Sequence, residues 1–265
     1  MFDWFWNPDV WLPPNIDWET FKAPRTVNDS LVIQPEQFAV FSDLLFPLPL
    51  AVCLILLRLL VQATLFRPVG RRLGLQERAW PAARPGLEQL FSSGRRVAGQ
   101  ALVAAQQDGL TVVQADRWLR ARRRATKPST LDKFCETGWR WLFYTTILGY
   151  GLAVLIDKPW LADIHQCWVD YPYHTVDLGI WIYYMLELAF YWSLSITQWF
   201  DVKRKDFWQM FIHHNTTIAL MMFSWSTHFV RVGSLVLVLH DSSDHLLELA
   251  KLLKYLVCIN LKRSK

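Results

Sequence analysis

Leu44 to Phe66 is a nearly unbroken apolar run, long enough to cross a hydrocarbon core that takes about 20 helical residues. It is followed at once by residues 67–133, where 14 Lys and Arg face 5 Asp and Glu. Basic segments flanking a span stay on the cytosolic side, so the sign of this segment orients the run. Residues 1–43 then face the lumen, and they carry 7 acidic residues against Lys22 and Arg25 alone. Asn28-Asp29-Ser30 is a glycosylation sequon, which has physical meaning on that same side. No charged leader followed by a short apolar core, the pattern of a cleaved signal peptide, precedes it. Arg58 interrupts the run and is expected to snorkel toward the cytosolic end. Pro47 and Pro49 fall near the other end, where a missing N–H is tolerated.

The rest of the chain repeats this alternation. Gly138 to Ile156 reads as a second span, and the loop after it, Asp157 to Asp177, holds four aspartates against Lys158. Leu178 to Trp199 is a third, with Glu187 inside it, and Lys203, Arg204 and Lys205 follow. Phe207 to Trp225 is a fourth, entered from the cytosol, and the helix from Val232 makes a fifth before a basic end at Lys262, Arg263 and Lys265. The predicted fold is all-α and polytopic, with about five spans and a cytosolic basic helical segment. Composition agrees: 52% of residues are hydrophobic, 19% are charged, and 15 Trp and 16 Phe suit a headgroup region. The boundaries are a luminal segment over 1–43, a first span over 44–66, a basic segment over 67–128 and a membrane domain over 129–265. Cys53, Cys135, Cys167 and Cys258 lie too far apart for a zinc motif or a disulfide framework.

Within the basic segment, Val112 to Lys127 reads as a helix with Val113, Trp118 and Leu119 on one side and arginines on the other. It resembles the last helix of a homeodomain, in which a tryptophan precedes an arginine cluster. Ala121 stands where the homeodomain carries its adenine-reading asparagine, which removes that readout. A juxtamembrane helix that binds anionic lipid is the favoured reading. DNA binding through Arg122, Arg123 and Arg124 is the weaker one.

Histidines and carboxylates inside membrane-buried sequence are costly and mark function by default. His213 and His214 differ by about 100 degrees on a helix, so one faces a reacting centre while the other supports it. On the fifth helix His240, Asp241, Asp244, Glu248 and Lys251 recur at spacings of one to four and form a polar stripe. Set against the histidines, that stripe supplies a carboxylate-oriented imidazole, as a base or a nucleophile requires. His240 and Asp244 at i and i+4 leave metal ligation open, although the adjacent histidines have no ligand spacing of their own, and no metal is assigned. A buried polar pair that only stabilises helix packing explains one histidine, but not the whole set.

FIHHNTTIALMMFSW over Phe211–Trp225, followed by RVGSLVLVLHDSSDHLLELAKLLKY over Arg231–Tyr255, resembles the Lag1 motif of the ceramide synthases, within their TLC domain. The single early span and the homeobox-like segment extend the resemblance over nearly the whole chain. It implies transfer of a fatty acyl group from acyl-CoA to the amine of sphinganine or sphingosine, in the endoplasmic reticulum membrane, with a nuclear-membrane pool as a further site. Acyl-CoA is then a substrate, and no cofactor is implied. His213, His214, Asp241 and Asp244 match the family's paired histidines and aspartates, with His240, Glu248 and Lys251 in support. Partners implied are the two substrates, membrane lipid and other ceramide synthase copies, identical or not. Members of this family continue after the motif with further spans and an acidic tail, whereas this sequence runs ten residues past Tyr255. The alternative expectation is therefore a shortened, non-catalytic regulator of longer synthases.

Overall fold

The computed structural model describes residues 7–22, 25–27, 31–33, 38–93, 103, 105–200 and 206–263, with the backbone alone at 22, 25–27, 31–33 and 258–263. Asn28 and the Lys203–Lys205 loop lie outside the described residues. The main helices are α1 (Pro47–Val61), α2 (Pro85–Ser93), α3 (Val112–Ala125), α4 (Thr130–Leu155), α5 (Leu178–Thr197), α6 (Phe207–Ser226) and α7 (Val230–Arg263). The all-α expectation holds, with one short antiparallel hairpin, β1 (Arg25–Val27) on β2 (Leu31–Ile33), paired Arg25 to Ile33. The chain divides into two compact units, residues 1–62 with 138–251, and 63–137 with 252–265.

In the first unit α5 is the hub, buried along most of its length, with α1 and α6 packed on it. Pro47 opens α1 at its first position, where its fixed φ suits a helix and its missing N–H costs nothing. The helix continues through a π-helical turn, Gln62–Phe66, into Arg67–Arg72. Leu56, Leu59 and Leu60 on this stretch stay exposed, an apolar face that water would not favour. Arg58 is buried among the helices, and its Nη1 donates to Thr197 Oγ1 at 2.9 Å, a hydroxyl on the last residue of α5, the end that precedes the Lys203–Lys205 segment.

Among the described residues, Phe41–Arg72 is the one helical stretch both long and apolar enough to cross a membrane by length and composition. The five spans expected from sequence are thus not all of that kind. α5 and α6 carry tyrosines, tryptophans, Glu187, His213, His214 and Asn215, and these lower their apolarity.

Two close approaches shape the unit. A Cβ on Gly151 of α4 would stand 2.8 Å from the Tyr183 ring, so only glycine lets α4 lie this near to that face of α5. A Cβ on Gly233 of α7 would collide with the Tyr184 hydroxyl and Ser224. Beyond the α6–α7 turn, Leu12, Phe21 and Phe38 cluster with Tyr173, and the Phe21 ring stacks on His228 at 4.3 Å. His228 holds a left-handed backbone, φ 59°, and is buried.

The second unit has its own small core of Leu87, Ala105, Ala115, Trp118 and Leu119. Thr111 and Gln114 form a reciprocal capping box that starts α3, and the Asp108 carboxylate accepts from Gly86 N and Leu87 N at the start of α2. Trp118 donates from Nε1 to the Ala82 carbonyl at 2.8 Å. Two sequence expectations change here. Val113 is exposed, and Ala115 joins Trp118 and Leu119 inside instead. Arg122 is no free surface cation: it donates from Nε to Glu88 Oε1 at 2.9 Å and lies between the rings of Trp80 and Phe91, 4.3 and 4.7 Å from their centroids. Arg123 and Arg124 remain exposed.

Candidate active site

α6 presents His213 and His214, and α7 presents the carboxylates. The helix sends the two adjacent imidazoles apart, with His213 exposed, His214 buried, and ring centroids 5.8 Å from one another at 54°. On α7 the stripe separates by depth. Asp241 and Glu248 are buried, Asp244 is half-buried and His240 is exposed. Lys251 donates to Glu248 Oε1 at 2.6 Å one turn further on, which ties up the lysine away from the aspartates.

Asp241 and Asp244 have different surroundings. Tyr183 of α5 donates to Asp241 Oδ2 at 2.5 Å, and the Glu187 carboxyl, one turn along the same helix, faces Asp241 from within the protein. Asp244 is faced by the Tyr144 hydroxyl of α4 and lies within electrostatic reach of His213 and His240. Tyr144 also faces Tyr191, whose ring meets His214 edge-on at 6.1 Å. Among the described residues, neither His213 nor His214 hydrogen-bonds an aspartate directly. The connection from carboxylate to buried imidazole runs through two tyrosines. The exposed imidazole has the field of Asp244 alone, while the Nδ1 of His214 is buried without a hydrogen-bond partner.

Such a set can move protons. Imidazole exchanges them near neutral pH, carboxylates stabilise the imidazolium that results, and tyrosine hydroxyls both donate and accept. Among the described residues no group of three or more His, Cys, Asp or Glu stands close enough to hold a metal ion.

The sequence reading missed Glu187 as part of this site, together with Tyr144, Tyr183, Tyr191 and His245. Tyr183, Glu187 and Tyr191 recur every four residues and so share one face of α5, a signal present in the sequence. His245 sits beside Trp141, with Nδ1 2.9 Å from Thr145 Oγ1, and bridges α7 to α4.

Residues 133–262, the part that holds every one of these groups, match the TLC domain family. The chain is 42% identical to ceramide synthase 4 of Homo sapiens over 96% of its own length and 63% of that relative's. It is 38% identical to ceramide synthase 5 of Homo sapiens, covering 96% and 64%, and 38% identical to ceramide synthase 3 of Homo sapiens with the same coverage. The chain thus carries a TLC domain over residues 133–262. Within that class the chain belongs to the ceramide synthase family. It spans somewhat under two thirds of the length of these relatives.

Proposed function

We propose that this protein is a multi-pass membrane sphingoid-base N-acyltransferase that makes dihydroceramide or ceramide from fatty acyl-CoA and sphinganine or sphingosine. The observation that carries the reading is the His213–His214 pair, one imidazole exposed and one buried, set against Asp241 and Asp244 through tyrosine hydroxyls. The names of its relatives support the choice of substrates.

A sphingoid amine is protonated at neutral pH and must lose a proton before it attacks a thioester. The exposed His213 is the group able to take that proton, and the charge of Asp244 stabilises the imidazolium. The C–N bond forms as the C–S bond breaks, the imidazolium returns its proton to the CoA thiolate, and the second proton, shed by the nitrogen as the neutral amide forms, leaves to solvent. In a second route His213 itself displaces CoA, forming an acyl-imidazole that the amine then resolves. Rapid-quench mass spectrometry with acyl-CoA alone separates the routes: an acylated His213 is expected only in the second.

The wider assignment places the chain in the endoplasmic reticulum membrane with five crossings, residues 1–43 luminal and 67–128 cytosolic. The outward apolar face of α1 and the alternating loop charge support it. Arg78, Arg124 and Lys127 line an open cavity of about 570 Å³ in the second unit, a cationic surface suited to anionic lipid headgroups. Microsomes expressing these residues, given labelled sphinganine and acyl-CoA, test the whole reading. Product that disappears on His213→Ala supports the enzyme, and no product from the parent chain supports a non-catalytic regulator of longer synthases.

A further inference from the structure

Glu187 is fully buried at the centre of α5, and among the described residues neither of its carboxyl oxygens has a hydrogen-bond partner of ordinary geometry. It faces the carboxyl of Asp241, itself 1% exposed. The titratable groups around Glu187 come from three helices: Tyr183 and Tyr191 on its own, Tyr144 on α4, and Asp241 and Asp244 on α7. Among the described residues no lysine, arginine or histidine acts on Glu187 itself; the exposed His240 reaches Asp241, and Arg140 reaches Tyr144. Two ionised carboxylates side by side in an apolar wall, with no cation between them, would each pay several kcal/mol of desolvation and repel one another besides. A proton held between them removes one charge and turns the repulsion into a hydrogen bond.

We infer that Glu187 is a positioning residue, a buried carboxylic acid that holds its proton and directs it at Asp241. Tyr183 decides where the proton sits. Its hydroxyl already donates to Asp241 Oδ2, which favours the ionised form on Asp241 and leaves the proton on Glu187. Asp241 thereby receives two donors from α5 and is fixed in place. The neighbouring Asp244, which the Tyr144 hydroxyl faces and which the carboxyls of Glu187 and Glu248 reach only through their charge, is left to act on His213. The two aspartates of the motif thus divide the work: one anchors α7 to α5, and the other supplies field to the imidazole. This division deepens the acyltransferase reading and rests on it, whereas the protonated pair itself does not.

Infrared spectroscopy on the purified full chain in detergent or nanodiscs tests the pair without any turnover. A buried, protonated carboxyl gives a C=O stretch distinct from carboxylate bands and from amide bands, and it shifts on exchange into D2O. The unsubstituted protein at neutral pH is expected to show that band, and uniform ¹³C-glutamate labelling is expected to move it. Glu187→Gln is expected to abolish it. An absent band, or one that ¹³C-aspartate moves and ¹³C-glutamate does not, overturns the inference even if no variant folds. Activity supplies the second readout. Glu187→Gln keeps the bulk and an N–H donor toward Asp241, so it should retain at least about tenfold more acyl transfer than Glu187→Leu, which keeps the bulk but no donor. Equal activities would reduce Glu187 to packing. A glutamate band in a protein that makes no ceramide keeps the acid and removes the acyltransferase reading; ceramide formation without the band does the reverse.

Discussion

The first unit contains two clusters with buried histidine, and they are built differently. At one, His213 and His214 share a helix and look across to carboxyls and tyrosines on three others. At the other, His174 and His228 sit among Phe21, Phe38, Tyr171 and Tyr173, and His174 places Nε2 2.9 Å from the Val169 carbonyl. The charged neighbours there are Arg231, which donates to the carbonyls of Gln166 and Val169, and Asp170, whose carboxylate Arg231 outweighs at His174. Burial alone therefore does not mark chemistry. The first cluster has an exposed imidazole and carboxylates to stabilise a gained proton, whereas the second is enclosed by rings and carbonyls and gains nothing from one.

The sharpest way to break this contrast is to remove one imidazole from each side. His213→Ala should lower acyl transfer at least about 100-fold with the protein still folded, the scale of a lost acid–base group, whereas His228→Ala should lower thermal stability and leave turnover per folded molecule within about threefold. Similar losses of turnover from both would erase the distinction. Next in size is the approach of α4 to α5. Gly151→Ala drives a methyl into the Tyr183 ring and should cost about 1–3 kcal/mol, read as a lower unfolding midpoint in detergent, with activity falling because Tyr183 is levered away from Asp241. Gly149→Ala, which meets nothing within 4 Å, should leave both unchanged.

The smallest effect sharpens the second cluster through pH. Burial, and then the neighbouring His174, push the His228 imidazole down to about 4, and burial and Arg231 lower His174 as well. Between that value and the ordinary range near 6.5, the unfolded chain binds more protons than the folded one, so folding stability must fall as pH drops from about 6.5 toward 4. For His228 alone the full loss amounts to at most about 3–4 kcal/mol. Thermal unfolding measured from pH 7 to 4.5 should show this slope in the parent chain and a shallower one in His228→Phe. An unchanged slope would mean that the ring is already protonated in its pocket.

What the sequence disclosed and what it withheld follow from the range of the interactions involved. The apolar run at Leu44–Phe66, the helix-period stripe on α7 and the polar pair on α6 are local patterns, and the run as far as Gln62, the stripe and the pair all fall in one unit. Tyr144 was invisible as a site residue because its helical neighbours in register, Arg140, Trp141, Ile147 and Leu148, offer no carboxylate; only tertiary packing brings it to Asp244. Arg122 was misread for a similar reason. A basic run suggests a solvated face, but Trp80, Glu88 and Phe91 come from preceding segments and enclose this one arginine while its neighbours stay outside. The stacking of Phe21 on His228 joins positions at opposite ends of the chain, beyond any periodicity.

The bond from Arg58 to Thr197 also bears on how such a chain is made. The partner of this arginine lies 139 residues downstream, and at about 5–20 residues per second of synthesis it emerges roughly 7–30 s later. Until then α1 holds a cation in apolar sequence, at a cost of about 2.5–3.5 kcal/mol if it lies near the middle of the bilayer. The first helix can reach its final seat only after α5 has been synthesised, so the oldest helix waits on the hub.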